Sequence, residues 1–268
     1  MDGKREMDNL IVLNLDYNKL QLIKESKPYY SDYSSCSYLT LSGLKNLRYL
    51  SVFENQIQSI DSIAFKNNIA LNYLNLSTND ITDMHSDSCV HLESLKVLDL
   101  SFNKLENVPF FSNNSKNLTF LSVSYNNIKQ IMSHAFANTR LRQLLLRGNQ
   151  IDEIDVEAFA HLSVLEELDL SYNKLNILPE GWTMPLTSLK YLDLSNNKFI
   201  SLTSLFLTNT MPLVEVYLVN SLEYLNAIHF KTMPQNETIN LIQLSKFRYK
   251  FETDSEIDNI NKFLDTDY

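Results

Sequence analysis

Apolar and polar positions alternate along this chain in short bursts, not in long helical stripes. Residues 165–175 read LEELDLSYNKL and residues 141–151 read LRQLLLRGNQI, with leucines at the first, fourth and sixth places and an asparagine at the ninth. The alternation within L-x-L is strand periodicity, so Leu168 and Leu170 are expected to point inward while Asp169 points out. The template L-x-x-L-x-L-x-x-N-x-L recurs with its asparagine at Asn18, Asn55, Asn79, Asn103, Asn126, Asn149, Asn173 and Asn197, spaced by 23 or 24 residues from Asn55 onward. About ten residues after the asparagine, Phe65, Phe136 and Phe159 each follow an alanine, and Cys89 fills the same slot.

Each part of this repeat has a physical role. The asparagine amide both donates and accepts, so a stack of them at successive bends can satisfy backbone groups of neighbouring turns. The A-F-x-x-L segment returns the chain on the outer side, with the phenylalanine closing the core. One such unit cannot bury its apolar face alone, whereas stacked units build one continuous core. Composition agrees with this picture: four glycines stand against about thirty asparagines, so asparagine supplies the turns.

These residues resemble leucine-rich repeats of the roughly 24-residue type, as found in Toll-like receptor ectodomains and insect leucine-rich immune proteins. The resemblance covers roughly residues 10–245. It implies an α/β solenoid: a curved horseshoe with a concave parallel β-sheet and an irregular or short-helical convex side. The expected organisation is a solenoid over 1–245, with eight clear and two degenerate repeats, and a closing segment over 246–268. In that tail, Ile257, Ile260, Phe263 and Leu264 fall at helical spacing.

The pattern breaks in three places. Between Asn18 and Asn55 about thirteen extra residues intervene near 24–38, a polar, tyrosine-rich stretch that reads as a solvated outer loop or as a partner-contacting one. After Asn197, Val216 and Leu218 make a strand pair, but Asn220 comes one residue early; Ile239 and Leu241 suggest a tenth strand. At the start, the first strand begins about ten residues in, with no cysteine-rich cap, which leads to the expectation that the chain begins mid-solenoid.

Candidate chemistry is sparse. The charge of −9 argues against non-specific binding to nucleic acid or anionic membranes, and no apolar run is long enough to span a bilayer. The start does not read as a signal peptide. The two cysteines, Cys36 and Cys89, propose no disulfide framework. His85, His91, His134, His161 and His229 all fall on outer segments, and no nucleophile–base pair or metal set emerges, so neither catalysis nor a cofactor is expected. Sequons at Asn75, Asn113, Asn117 and Asn236 mark sites open to glycosylation, but their number is what chance supplies in so asparagine-rich a chain.

Binding is what a solenoid offers. Tyr49, Tyr73, Phe120 and Tyr191 form one outward aromatic column, and Tyr17, Phe102, Tyr125 and Tyr172 form a second before the asparagine. Both read either as contact surface or as repeat consensus. In the 141–151 repeat, Leu145 replaces the aspartate found at Asp99, Asp169 and Asp193, with Arg142, Gln143 and Arg147 around it. This is either drift, with Arg147 pairing to Asp169, or a contact patch with an apolar anchor and two guanidinium groups. The ligand-binding candidates are therefore Arg142, Gln143, Leu145, Arg147, Phe120, Tyr125 and Tyr172. The expected partner is a protein ligand or co-receptor, in an extracellular or cell-surface setting. An intracellular scaffold or enzyme-regulatory role, and a nucleic-acid-sensing receptor fragment, stand as alternatives.

Overall fold

A computed structural model describes residues 7, 9–25, 37–111, 114–207 and 215–223. Strands in chain order are β1 (Val12–Asn14), β2 (Leu22–Lys24), β3 (Tyr38–Thr40), β4 (Tyr49–Ser51), β5 (Ser59–Ile60), β6 (Tyr73–Asn75) and β7 (Val97–Asp99). They continue with β8 (Phe120–Ser122), β9 (Gln130–Ile131), β10 (Gln143–Leu145), β11 (Glu153–Ile154), β12 (Glu167–Asp169), β13 (Tyr191–Asp193) and β14 (Glu215–Tyr217). Nine of them form one parallel sheet in the order β1-β4-β6-β7-β8-β10-β12-β13-β14, one strand per repeat. The register aligns equivalent positions: Leu121, Leu144, Leu168 and Leu192 form one inward row. Among the described residues, helix is limited to a single 3-10 turn, Leu202–Leu205. The outer side is otherwise built of turns and short strands.

The asparagines lie where the pattern put them. Asn149 donates from Nδ2 to Val123 O (2.9 Å) in the preceding repeat and to its own Leu146 O (3.0 Å), while its Oδ1 accepts from Ile128 N (3.1 Å). The same bonding runs from Asn55 to Asn197, with Leu20, Ile57, Ile81, Leu105, Ile151 and Leu175 as the other backbone donors. All seven side chains are buried. Asn18 differs: it is exposed and, among the described residues, bonds only within its own turn, to Leu15 O and Asp16 O.

At the far end Ser221, not the early Asn220, takes the ladder position. Its hydroxyl donates to Leu194 O and accepts from Asn197 N (3.3 Å). Asn220 instead occupies the left-handed backbone position before the ladder residue (φ 53), which Asn196 also adopts. The one-residue discrepancy in the sequence is therefore a substitution in an unbroken register.

The outer slot holds Leu41, Phe65, Cys89, Phe136 and Phe159, all buried. Phe136 and Phe159 stack at 5.9 Å and 3°, and Trp182 continues the row at 5.9 Å, its indole N–H donating to Leu205 O (2.8 Å). Sequence alignment of the phenylalanines did not anticipate Trp182, because it follows its asparagine by nine residues. Cys89 is enclosed by apolar side chains, and burial pushes its thiol up to about 12. It acts as a small hydrophobe.

The inserted stretch is not wholly an outer loop. Its two ends form β2 and β3, which pair in parallel, and the outer sheet runs β3-β2-β5. Strand β3 thus lies on the side of β2 away from the second repeat. Residues 26–36, including Cys36, lie outside the described residues, as do Asn113, Phe230, Asn236, His229, the tenth strand and the 246–268 segment.

Asn149→Ala leaves one buried donor and two acceptors without that partner, at about 1–3 kcal/mol per unsatisfied group, whereas Asn18→Ala changes stability by less than about 0.5 kcal/mol. Urea unfolding of the two variants beside the wild type checks this contrast; equal losses would refute the ladder's role.

Candidate functional site on the concave sheet

Outward side chains of the nine-stranded sheet form rows that run across the strands. One row reads Tyr49, Tyr73, Val97, Phe120, Gln143, Glu167, Tyr191 and Glu215; the next reads Ser51, Asn75, Asp99, Ser122, Leu145, Asp169, Asp193 and Tyr217. An open groove of about 740 Å³ lies on this face, lined among others by Tyr73, Val97, Phe120, Gln143, Glu167 and Tyr191. At its ends Tyr49 stacks on Tyr73 (4.4 Å, 6°) and Tyr191 meets Tyr217 at 5.0 Å.

The aspartates at the repeat position that Leu145 occupies have a local structural role. In D-L-S the carboxylate accepts the backbone N–H of the serine two residues on: Asp99 from Ser101 (2.9 Å), Asp169 from Ser171 (2.8 Å) and Asp193 from Ser195 (2.8 Å). Asn75 does the same for Ser77 through its amide oxygen (2.9 Å). Leu145 cannot accept a hydrogen bond, so the departures at Leu145 and Arg147 belong to one change of motif.

Arg147 does not pair with Asp169. It turns to the aromatic column: Nε donates to the Tyr125 hydroxyl (2.8 Å), Nη1 to Ser171 Oγ (3.2 Å), and the guanidinium lies 4.3 Å from the Tyr172 ring centre. The reason is Gly148. Position by position, Tyr17, Phe102, Tyr125 and Tyr172 occupy left-handed backbone (φ 55–59) before their asparagines, and Gly148 holds that place with φ +68 and no side chain. A Cβ there would meet the Tyr125 ring at 2.5 Å. Tyr125, stacked on Phe102 at 4.4 Å, leans into the vacated space, and Arg147 bridges the gap to Tyr172.

The candidate residues therefore separate into two places. Phe120, Arg142 and Gln143 line the groove, while Tyr125, Arg147 and Tyr172 form a stack along the turn edge, with Leu145 half-buried between them. Within the groove Arg142 Nη1 contacts Glu166 Oε1, Lys190 Nζ contacts Glu166 Oε2 (2.8 Å), and Gln143 Nε2 donates to Glu167 Oε2 (2.7 Å). The Lys190 bond, with that of Arg142, holds the Glu166 carboxyl below its ordinary range. Burial, ahead of the opposing bonds from Ser171 and the added charge of Asp193, lifts Asp169 above it. Burial and the charge of Asp193 push Tyr191 up to about 12.

Sequence reasoning missed Glu166, Lys190 and Glu215. Arg142, Glu166 and Lys190 share the first variable slot of consecutive repeats, so aligning that slot would have found the triad. The outer histidines form no comparable site: His134 and His161 lie 5.3 Å apart, with His134 3.3 Å from Glu157, all on the convex side. No grouping of three or more metal-binding side chains occurs among the described residues. Asn75 and Asn117, the sequon asparagines that are described, both have their side chains engaged, Asn117 with Glu93 O (2.7 Å).

A parallel sheet with one strand per repeat, an asparagine ladder and a stacked phenylalanine row define a leucine-rich repeat solenoid. Comparison with known proteins agrees: "Leucine rich repeat" matches residues 45–105 and 139–199, and "Leucine Rich repeats (2 copies)" matches 93–134, together more than half of the chain. The chain belongs to the leucine-rich repeat family, and it resembles Toll-like receptor ectodomains within it. Mouse podocan is 36% identical over 66% of this chain and 29% of its own length; human Toll-like receptor 3 is 29% identical over 73% and 22%. The chain thus spans under a third of either relative. Two solved structures share the fold: a TLR13–ssRNA13 complex (TM-score 0.64, 24% identity, 80% of this chain and 32% of that one) and the Drosophila Toll–Spatzle complex (0.59, 19%, 90% and 35%).

Two predictions follow from the local chemistry. Gly148→Ala costs roughly 1–2 kcal/mol for the left-handed backbone alone and displaces Tyr125, while Arg147→Ala costs about 0.5–1 kcal/mol; chemical denaturation measures both. Because the folded pKa of Asp169 is raised, its contribution to stability is complete below the unfolded carboxylate value and is lost as pH rises through the folded one. Asp169→Asn keeps the acceptor, as Asn75 shows, so thermal melts at acid pH should match the wild type and melts at neutral pH should exceed it.

Proposed function

We propose that this chain is a non-enzymatic recognition module that binds a protein ligand or co-receptor through its concave sheet. The observation that carries the reading is the open groove on the nine-stranded sheet, where aromatic, charged and amide side chains converge without a nucleophile–base pair. Kinship with Toll-like receptor 3 and podocan, and the protein ligand in the Toll–Spatzle complex, support an extracellular setting in innate immunity or cell-surface interaction. No helix among the described residues is long and apolar enough to cross a membrane.

The RNA in the TLR13 complex supports a second reading, nucleic-acid sensing. Against it stand the net charge of −9 and the engagement of Arg142, Arg147 and Lys190 by neighbouring side chains.

The test is cross-linking capture from secreted and surface proteins of the source tissue, quantified by mass spectrometry. Phe120→Asp with Gln143→Arg should lose the partner more than tenfold, and the convex-side Met132→Asp should keep it, with circular dichroism confirming that both fold. Equal capture by the two variants overturns the concave reading. Capture of single-stranded RNA in place of protein establishes the alternative.

A further inference from the structure

The positive charges that single out the 141–151 repeat are taken up by its neighbours, and the charge left over on the adjoining part of the face is negative. Arg142 and Lys190 share Glu166, and Arg147 is held by Tyr125, Ser171 and Tyr172. On β12, β13 and β14 four carboxylates, Glu167, Asp169, Asp193 and Glu215, form no ion pair among the described residues. They surround two rings: Tyr191 lies in register between Glu167 and Glu215, and Tyr217 lies beside Asp193, with its hydroxyl bonded to Glu215 Oε2 (2.9 Å). The charge of Asp193 adds to that of Asp169 on the adjacent strand and Arg147 offsets part of it, so among the described residues carboxylates outnumber free cations at this end of the sheet face.

The other end of the same groove is mostly apolar and aromatic, with the Asp99 carboxylate also in its lining. Val97 and Phe120 adjoin there, followed by the stacked Tyr73 and Tyr49. Phe120, Gln143, Glu167 and Tyr191 are successive members of one row. Three strand spacings separate Phe120 from Tyr191, about 14 Å, which an extended polypeptide covers in about four residues.

We propose that the groove takes an extended polypeptide segment lying across the strands, with an apolar or aromatic residue over Val97 and Phe120. About four positions away, a lysine or arginine lies against Tyr191 and Tyr217 among the four carboxylates. Side chains four apart in an extended segment share one face, so both reach the sheet together. Cation–π contact with the tyrosines and attraction to the carboxylates select the basic residue, and charge complementarity excludes an acidic segment from this end. This inference rests on concave binding as proposed above and adds the chemistry of the partner.

The experiment selects random displayed dodecapeptides on the full 268-residue chain and compares three proteins: wild type, Asp169→Asn with Asp193→Asn, and Phe120→Ala with Gln143→Ala. The asparagines keep the bonds to Ser171 and Ser195, so the first pair of changes removes charge without removing the turn. The expected result is enrichment of peptides with Lys or Arg about four residues from an apolar one. These should bind the Asp→Asn protein at least tenfold more weakly and lose affinity as salt is raised. Enriched peptides without a basic excess, or indifferent to the Asp→Asn pair, overturn the inference; if the Phe120→Ala, Gln143→Ala protein still loses them, concave binding survives. Peptides indifferent to both variants overturn both readings. Failure to enrich any peptide overturns the inference, and tissue capture then decides the function separately.

Discussion

The constraint on which this structure depends is the need of each turn to satisfy its backbone polar groups inside a stack that excludes water. The asparagine side chain meets it by joining three backbone groups from two consecutive repeats. Because the bond crosses from one repeat to the next, it fixes spacing and register together. The parallel sheet follows from that, and Ser221 shows that a shorter hydroxyl can hold the same place when the position, not the residue, is kept. Asn18 shows the converse: without a preceding ladder partner among the described residues, the same side chain folds onto its own turn.

A fixed register turns the outer face of the sheet into a grid. Each variable position in the repeat becomes a row, so a substitution is felt by its equivalents 23 or 24 residues away. Gly148 illustrates the coupling. Its missing side chain admits Tyr125, and Arg147 then reaches across to Tyr172, so three repeats adjust to one glycine. The same grid gathers Arg142, Glu166 and Lys190 into one triad and, among the described residues, leaves the carboxylates around Tyr191 and Tyr217 outside any ion pair. A face of mixed polarity arises from the stacking of ordinary repeats.

Much of the fold was legible because its signals are local and periodic. The alternating leucines, the asparagine nine places along and the outer phenylalanine each name an environment that stacking then supplies; Leu144, Asn149 and Phe159 are buried accordingly. Trp182 escaped because it fills the phenylalanine slot from a different spacing, and β3 because its pairing with β2 depends on chain returning from an insertion of no periodic pattern. Of the candidate site, the grouping of Phe120, Arg142 and Gln143 in one groove could be read from alignment of the repeats. The fate of each charge could not.

The sequence by itself determined the solenoid, its repeat length and which side chains face outward, since hydrophobic alternation and a bifunctional amide act over a few residues. Only the tertiary structure decided which outward groups are engaged by one another. Arginine side chains are long enough to choose among several neighbours, and their choice depends on distances between adjacent strands. Arg147 stands over Tyr172 and Arg142 against Glu166, so both arginines of the 141–151 repeat are engaged by neighbouring repeats.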